Sequence, residues 1–335
     1  MTPTAVMGAG AWGTALAWLL AKKGEPVRLW AYEPEVAAQV NEARENSRYL
    51  PGITLPPTLK ASASATEVLE GVGALIFVVP SHVAAGVIAQ IAPHLPAGIP
   101  IVSATKGLEE KRARPISTVL EELLPIPPRS VFALSGPSFA AEVCRDLPTA
   151  VVLAGPSGPE ALLLQRLLMT SVFRIYLGGD RLGVELGGAL KNVIAVAAGI
   201  ADGLGLGHNA RAALITRGLA EMVRLGLAMG ADPRTFAGLS GMGDLVLTCT
   251  GGLSRNRAVG VQLGEGKKLA AILAKTHTVA EGINTARVAL ALAERHRVEM
   301  PIVREVCAVL FDDKEPARAV SELMERAARH ELDQT

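Results

Sequence analysis

The chain begins with an apolar run at residues 5–7 that leads directly into Gly8-Ala9-Gly10-Ala11-Trp12-Gly13. This G-x-G-x-x-G pattern lies between a predicted strand and a predicted helix over residues 14–23. At such a junction Gly8 permits a tight turn, Gly10 lets a pyrophosphate approach the backbone, and Gly13 lets the helix pack closely on the strand. The helix N-terminus also offers free N–H groups and a partial positive charge to the phosphates. The pattern therefore predicts a dinucleotide site, and the alternative is a tight turn that binds no ligand.

The residues after the second apolar run extend this prediction. The run covers residues 27–30, and Tyr32 and Glu33 follow it closely. Glu33 lies twenty residues beyond Gly13, the distance at which an acidic residue commonly binds a ribose hydroxyl of the cofactor. We therefore expect Glu33 to belong to the same dinucleotide site.

The composition restricts the class of protein. The 335 residues are enough for two domains, and 50% of them are apolar. A formal net charge of +1 argues against bulk attraction to nucleic acid or to a membrane surface. Cys144, Cys249 and Cys307 have no CxxC spacing and are expected to be reduced thiols of a cytoplasmic protein. The six histidines show no HxxxH or HExxH pattern, so no metal site is expected, and the early glycine pattern argues against a signal peptide.

Short apolar runs alternate with helical patterns up to about residue 180. Further runs lie at residues 74–79, 99–104, 131–134, 150–154 and 172–176. This alternation is typical of a parallel sheet covered by helices on both faces. Long helical patterns follow, at residues 184–202, 209–229, 257–264, 279–296 and 301–311. We predict the α/β fold class: a Rossmann-type doubly wound sheet in an N-terminal dinucleotide-binding domain (residues 1–180), then an all-helical C-terminal domain (residues 181–335) for substrate binding and catalysis.

One stretch, residues 184–206, is apolar enough to raise the question of a membrane span. It contains Glu185, Lys191, Asn192 and Asp202. A central lysine costs a membrane helix about 2.5–3.5 kcal/mol on insertion scales. We therefore expect a buried helix of the helical domain and no stable membrane insertion.

Loops at the carboxyl ends of parallel strands are where an open α/β sheet binds its ligands. Besides the glycine-rich loop, these are residues 80–82, 105–107 and 135–139. Lys106 directly follows a predicted buried strand, so its ammonium group is placed to bind a phosphate or an alkoxide in the cleft. The alternative is a solvated surface lysine.

Lys191 is the most unusual ionisable residue, because small and apolar residues flank it on both sides. An unpaired ammonium group there is costly and needs a partner or a lowered pKa, and a lysine with a pKa near neutrality can donate a proton. Asp244, in an apolar segment of its own, is the candidate partner. The alternatives are a lysine that reaches the surface and an aspartate that caps a helix.

A polar tetrapeptide, Ser254-Arg255-Asn256-Arg257, stands at the start of another helical pattern. Hydroxyl, guanidinium and amide donors at a helix N-terminus suit a phosphate. An ordinary polar cap is the alternative.

The chain resembles one family along nearly its whole length. Besides the glycine pattern, the motifs are VVPSH at residues 78–82, ATKGLE at 104–109, LSGPSFA at 134–140, LKNVIA at 190–195, NARAALITRG at 209–218, GDL at 243–245, SRNR at 254–257, VAEG at 279–282 and EMPI at 299–302. In this order and spacing they are similar to the bacterial NAD(P)-dependent glycerol-3-phosphate dehydrogenases.

The resemblance implies a reaction and a set of residue roles. The reaction is reversible hydride transfer between NADH or NADPH and C2 of dihydroxyacetone phosphate, giving sn-glycerol 3-phosphate for phospholipid synthesis, usually in the cytoplasm and often by a homodimer. Lys191 matches the family's proton donor and acceptor. Substrate contacts are implied for Lys106, Gly136, Ser138, Asp244, Ser254, Arg255 and Asn256, and cofactor contacts for Trp12, Lys106, Ala140, Arg255, Val279 and Glu281.

Two positions depart from the family's pattern. Ala11 stands where the family often has serine, which removes one hydroxyl contact to the pyrophosphate. Many members carry a basic residue directly after the second strand, where this chain has Tyr32 and Glu33. Since a carboxylate that faces the 2′-phosphate of NADPH is unfavourable, the choice between NAD and NADP stays open.

Two other functions also stay open. An enzyme of the same architecture, such as a ketopantoate-type or hydroxy-acid reductase, would hold a carboxylate instead of a phosphate at residues 254–256. A non-catalytic dinucleotide sensor is the second alternative, although it would not need Lys191 and Asp244 in apolar surroundings near a cleft.

Overall fold

The apolar runs of the first half of the chain form strands whose alternate side chains enter two different cores. In the first strand Ala5 and Met7 pack into one core and Val6 into the other, and all three are fully buried. A strand that is buried on both faces needs helices on both sides, so the doubly wound architecture is confirmed. The computed structural model describes residues 2–127, 129–275, 280–328 and 330–331.

Within these residues the strands form one large sheet and one short hairpin. They are β1 (Thr4–Met7), β2 (Val27–Trp30), β3 (Leu59–Ser62), β4 (Ala74–Phe77), β5 (Ile101–Ser103), β6 (Leu108–Glu109), β7 (Arg114–Pro115), β8 (Val131–Ser135), β9 (Thr149–Ala154) and β10 (Phe173–Gly178). The order in the large sheet is β10-β9-β8-β5-β4-β1-β2-β3, and β6 pairs with β7.

Helices cover this sheet, and after β10 the described residues form helices and the loops that connect them. The helices are α1 (Ala11–Lys22), α2 (Pro34–Glu42), α3 (Ala65–Leu69), α4 (Ser81–Ile91), α5 (Ile116–Leu123), α6 (Ala140–Val143), α7 (Pro159–Leu168), α8 (Arg181–Gly203), α9 (Gly207–Ala228), α10 (Pro233–Phe236), α11 (Asp244–Thr250), α12 (Arg255–Gly264), α13 (Leu269–Leu273), α14 (Glu281–His296), α15 (Pro301–Phe311) and α16 (Pro316–Met324). A 3₁₀ turn lies at Ala92–His94 and a π-helical turn at Leu239–Gly243.

The sheet is parallel, as predicted, except at one pairing. The six strands from β8 to β3 run parallel, but β9 pairs antiparallel with β8, and β10 follows β9 in parallel. The connection between β8 and β9 holds only the four-residue α6, and an antiparallel neighbour does not need the crossover helix that a parallel one requires. The carboxyl ends of β1, β2, β4, β5 and β8 still lie along one edge of the sheet.

Helix α8 is the centre of the helical region. Residues 183–201 of this helix are buried. It is long and apolar enough to cross a membrane, but 94% of its most apolar window is buried inside the protein. A Cβ at Gly199 would lie 2.1 Å from the carbonyl oxygen of Arg257, and a Cβ at Gly260 would lie 2.1 Å from that of Val196. Glycine at both positions therefore allows α12 to pack closely along the helix that carries Lys191.

Two glutamates join the helical region to the sheet region. Glu185 of α8 accepts hydrogen bonds from the backbone N–H of Ser117 (N to Oε1, 2.9 Å) and from its hydroxyl, at the start of α5. Glu281 makes the same two contacts with Ser81 at the start of α4 (N to Oε1, 2.9 Å). Each carboxylate satisfies free N–H groups at a helix N-terminus. The contacts cross the domain boundary expected at residue 180, and that boundary stays a prediction.

Candidate active site

The three glycines after β1 have different surroundings. Gly8 has a φ of +121°, and a Cβ there would lie 2.9 Å from the carbonyl oxygen of Val78. A Cβ at Gly13 would lie 1.8 Å from the carbonyl oxygen of Gly8, so α1 can pack on β1 only with glycine at this position. Gly10, the N-cap of α1, has no atom within 4 Å of its Cβ position. The loop thus has a tight turn, a close helix contact and open space above Gly10, which fits a pyrophosphate at the start of α1 beside Ala11.

Trp12 lies at this opening with an unused donor. Its Nε1 is buried and has no hydrogen-bond partner among the described residues. The ammonium group of Lys106 lies 5.7 Å from the centroid of the Trp12 ring, and Ala140 begins α6, which packs against α1. A buried donor without a partner is uncommon, and a ligand that accepts a hydrogen bond there would satisfy it. Val279, the other small residue expected at the cofactor, lies outside the described residues.

Tyr32 and Glu33 follow β2 closely, where the chain lacks a basic residue. Tyr32 is 78% exposed and packs edge-on against Trp30, with ring centroids 6.3 Å apart. Glu33 is the N-cap residue of α2 but makes no side-chain capping bond. Its Oε1 instead accepts a hydrogen bond of 2.6 Å from the hydroxyl of Tyr49. The structure therefore places Glu33 near the glycine loop and adds Tyr49, which no sequence motif singled out.

Three charged side chains meet at the carboxyl edge of the sheet. Lys191 of α8 donates a hydrogen bond to Oδ1 of Asp244 (2.6 Å), and Lys106, after β5, donates to Oδ2 (2.8 Å). Lys106 also donates to the carbonyl oxygen of Gly136 (2.8 Å) and to Oγ of Ser138 (3.1 Å) in the loop after β8. Asp244 does not cap α11, because Gly243 occupies the N-cap position. The expected pairing of Lys191 with Asp244 is confirmed, and we call Lys106, Lys191 and Asp244 the catalytic cluster, after the role that is proposed for them below.

Burial and charge set the protonation states of this cluster. Burial lowers the pKa of Lys191 to about 8. The Asp244 carboxylate opposes this shift, whereas the Lys106 ammonium group adds to it. Burial by itself would raise the pKa of Asp244, but the two ammonium groups outweigh it and hold the pKa below its ordinary value. Asp244 is therefore a carboxylate near neutral pH, and Lys191 is an ammonium group that can give up its proton.

Thr248 is a member of this site that the sequence analysis missed. Its hydroxyl accepts a hydrogen bond from Lys191 Nζ (2.8 Å) and donates to the carbonyl oxygen of Asp244 (2.6 Å). The signal in the sequence is its spacing, because residues four apart on a helix share a face. Thr248 thus supports the same face of α11 that presents Asp244.

Two buried asparagines connect the cluster to the start of α12 and α14. Asn192 donates to the carbonyl oxygen of Lys106 (2.9 Å) and accepts from Asn256 (2.8 Å), whose own Oδ1 accepts from the N–H of Gly282 (2.9 Å). Asn192 is a second residue that the site analysis from sequence did not select. Both amide groups are occupied by protein partners, so Asn256 fixes the position of the helix start.

The three residues expected to hold a phosphate differ in what they offer. Ser254 is the N-cap of α12, and its Oγ accepts from the N–H of Arg257 (3.2 Å), so the polar-cap alternative describes its hydroxyl correctly. Arg255 is exposed and makes no hydrogen bond or salt bridge within the part of the chain that the structure describes. Its guanidinium group, next to the free N–H groups at the start of a ten-residue helix, is the available anion donor of the three.

Glu281 lies between this helix start and the sheet. Both of its oxygens are occupied by Ser81, and burial raises the pKa of Glu281, against the effect of Ser81 and of the nearby Arg255 charge. A Cβ at Gly107 would lie 2.5 Å from Oε2 of Glu281, so the loop that carries Lys106 also packs here. The contact of Glu281 with a cofactor stays a prediction.

Other reactive groups do not form a second centre in the described ranges. No three His, Cys, Asp or Glu side chains there are grouped so as to hold a metal ion. Cys144, Cys249 and Cys307 are free and buried, and burial raises the pKa of each thiol to about 12. A glycine-rich loop with open space at Gly10, and a lysine pair that reaches the neighbouring Trp12 through Lys106, are typical of a nicotinamide-dependent oxidoreductase.

Comparisons with known proteins identify the family. The model described as NAD-dependent glycerol-3-phosphate dehydrogenase N-terminus matches residues 3–159, and the corresponding C-terminus model matches residues 180–321. Over 327 residues the chain is 56% identical to glycerol-3-phosphate dehydrogenase (NAD(P)+) of Geobacter sulfurreducens, covering 97% of this chain and 98% of that one. The chain belongs to the NAD-dependent glycerol-3-phosphate dehydrogenase family, and it is an oxidoreductase that uses NAD or NADP.

Solved structures agree with this assignment. The crystal structure of glycerol-3-phosphate dehydrogenase from Coxiella burnetii superposes with a TM-score of 0.93 at 44% identity, covering 97% of this chain and 99% of that chain. The enzyme from Saccharomyces cerevisiae has a TM-score of 0.81 at 27% identity, with 97% and 99% covered. The family assignment decides against the sensor and the carboxylate-ketone reductase.

Proposed function

We propose that this chain reduces dihydroxyacetone phosphate reversibly to sn-glycerol 3-phosphate with NADH or NADPH, and so supplies glycerol 3-phosphate for phospholipid synthesis. The observation that carries the proposal is the catalytic cluster, in which Lys106 lies over the Trp12 ring at the opening above Gly10, together with the Arg255 side chain, which has no hydrogen-bond or salt-bridge partner among the described residues. The relatives named above are glycerol-3-phosphate dehydrogenases, which supports the same substrate here.

Binding of the substrate is assigned to the start of α12. Arg255 would hold the phosphate together with the free backbone N–H groups of the first helical turn. Ser254 and Asn256 would keep this turn in place, since their side chains are bonded to the protein. A phosphate fixed at this point orients the carbonyl carbon, and orientation lowers the barrier of the transfer step.

Proton transfer is assigned to the catalytic cluster. The hydride for C2 comes from NADH or NADPH when either is bound, in a site formed by Gly8, Gly10, Ala11, Trp12 and Gly13 with Tyr32 and Glu33. Negative charge then grows on the oxygen at C2. Lys191 gives this oxygen its proton, and in the reverse direction neutral Lys191 removes it. Lys106 stabilises the developing charge, and Asp244 orients both ammonium groups.

The remaining expectations concern the state of the protein in the cell. We infer a cytoplasmic homodimer that does not insert into membranes and binds no nucleic acid. The burial of α8 and the net charge of +1 support the absence of insertion and of nucleic-acid binding. The molar mass in solution tests the dimer.

The test of the proposal is the initial rate of NADH and NADPH oxidation with dihydroxyacetone phosphate, compared with ketopantoate. Oxidation with the phosphorylated ketone alone is the expected result. Turnover of ketopantoate alone, or cofactor binding with no turnover of either ketone, would overturn it.

The role of Lys191 has its own test. Lys191→Ala should lower kcat by about 10²–10⁴-fold while NADH still binds, as measured by fluorescence titration. Lys22→Ala is the matched control, because Lys22 forms an exposed salt bridge with Asp146 away from the cluster. A near-normal kcat for Lys191→Ala would eliminate Lys191 as the proton donor.

A further inference from the structure

The loop after α2 brings a basic residue to the acid at the end of β2. Arg48 NH2 lies 3.7 Å from Oε1 of Glu33, and its guanidinium group lies over the ring of Tyr49, 5.3 Å from the centroid. Tyr49 in turn donates its hydrogen bond to the same oxygen of Glu33. The sequence motifs did not single out Arg48, and nothing else in the proposed function uses it.

This loop is anchored to the glycine-rich loop. Asn46 is fully buried and donates hydrogen bonds to the carbonyl oxygen of Ala9 (2.8 Å) and to Oγ1 of Thr14 (2.8 Å). Its own Oδ1 accepts from the N–H of Tyr49 (3.2 Å). Arg48 therefore has a fixed backbone position between the glycine loop and the end of β2, which is where a Rossmann-type site receives the adenosine ribose.

The charges around this position suit both a ribose 2′-hydroxyl and a ribose 2′-phosphate. Glu33 alone would repel a 2′-phosphate, whereas an arginine nearby accommodates one. At 3.7 Å the Arg48–Glu33 contact is a loose ion pair, and the Arg48 side chain is 45% exposed. Its guanidinium group has five N–H donors in a planar fork, so it can turn toward a phosphate while Tyr49 keeps its hydrogen bond to Glu33.

We propose that Arg48 determines whether this enzyme accepts NADPH. It binds the 2′-phosphate of the adenosine ribose and offsets the charge of Glu33, whereas in NADH the 2′-hydroxyl donates to Glu33. Tyr49 holds Glu33 for that contact. This role rests on the proposed nicotinamide-dependent function. It names the residue that decides between NADH and NADPH, a choice that stayed open because Tyr32 and Glu33 stand where many family members carry a basic residue.

The experiment is equilibrium binding by calorimetry, with 2′,5′-ADP and 5′-AMP as probes of the adenosine site and with NADPH and NADH as full cofactors. For Arg48→Ala we expect the Kd of 2′,5′-ADP and NADPH to rise about tenfold or more, and the Kd of 5′-AMP and NADH to stay within about twofold. Arg174→Ala is the matched control, because Arg174 also lies over a tyrosine ring, at 5.6 Å from Tyr176, on the edge strand β10. This control should leave all four values unchanged.

The outcomes separate this inference from the proposed function. An unchanged preference in Arg48→Ala, an equal loss for NADH and NADPH, or wild-type protein that binds NADH but not NADPH would each overturn the role of Arg48. Wild-type protein that binds both cofactors but does not reduce dihydroxyacetone phosphate would overturn the proposed function and leave the role of Arg48 to be decided by the binding data.

Discussion

Replacing Asp244 by asparagine removes the carboxylate that lies between two ammonium groups. Its Oδ1 is 2.6 Å from Lys191 Nζ. At this distance two unit charges interact by about 1.6 kcal/mol at the dielectric constant of water, and by about 6 kcal/mol at the effective value of about 20 that describes protein sites. Since one pKa unit corresponds to about 1.4 kcal/mol, the pKa of Lys191 should fall from about 8 by at least about one unit.

The assay is kcat for NADH oxidation with saturating dihydroxyacetone phosphate between about pH 6 and 9. At pH 8 about half of the wild-type Lys191 carries its proton, but about a tenth or less does so in Asp244→Asn, so the rate should fall by at least about fivefold there and recover toward pH 6. The midpoint of the profile moves to about pH 7 or lower.

The matched control is Asp202→Asn. Asp202 also lies between two cations, Arg211 (3.0 Å) and Arg257 (2.7 Å), outside the catalytic cluster. The pH profile of Asp202→Asn should keep the midpoint of the wild type, which we expect near pH 8. A folded Asp244→Asn protein, verified by thermal unfolding and NADH binding, that keeps the wild-type midpoint would refute the coupling of Asp244 to Lys191.

Four further variants test other parts of the account. Gly13→Ala should lower the free energy of unfolding by about 1–3 kcal/mol, because its Cβ would meet the carbonyl oxygen of Gly8. Gly10→Ala should instead unfold like wild type and lose NADH affinity, because its Cβ would enter the open space above the loop. Arg255→Ala should raise KM for dihydroxyacetone phosphate about 10–100-fold, and an unchanged KM would remove it from the phosphate site. Glu221 of α9 is buried and accepts hydrogen bonds from the N–H groups of Ile302 and Val303 at the start of α15. Burial raises its pKa from 4.5 to about 7, so the folded state binds more protons and loses up to about 3 kcal/mol as pH rises through this window. Relative to wild type, the Tm of Glu221→Gln should therefore rise from about pH 5 to 8, and a fall would contradict this.

Strong hydrophobic patterns predicted most of the fold. The strand at residues 27–30 and the helix at 301–311 have the expected bounds, since apolar runs and a proline at the helix start are local signals. Strand β3 was missed because Lys60 interrupts a short run at the sheet edge, and the hairpin of β6 and β7 has only two residues in each strand. The antiparallel pairing of β9 was missed because it depends on the length of a connection and not on the strand's own sequence.

The site was predictable where charge conflicts with burial. Lys191 and Asp244 lie far apart in the chain, but each is a charge in apolar surroundings, so each needs the other. Neutral partners such as Thr248 and Asn192 carry no such conflict, and only the packing of α8 against α11 and α12 reveals their contacts. Arg48 was missed for a similar reason, because a loop anchored by Asn46 brings it to Glu33.

The most direct test of the central claim, that buried Lys191 exchanges the proton, is the pH dependence of kcat in both directions for the wild-type enzyme. Because the pKa of Lys191 is lowered to about 8, reduction should need the ammonium form and decline above about pH 8. Oxidation of glycerol 3-phosphate should need the neutral amine and decline below the same pH. Opposite profiles with a shared midpoint near 8 are the predicted result. Profiles that are flat across this range, or that keep the same midpoint in Lys191→Ala, would contradict it.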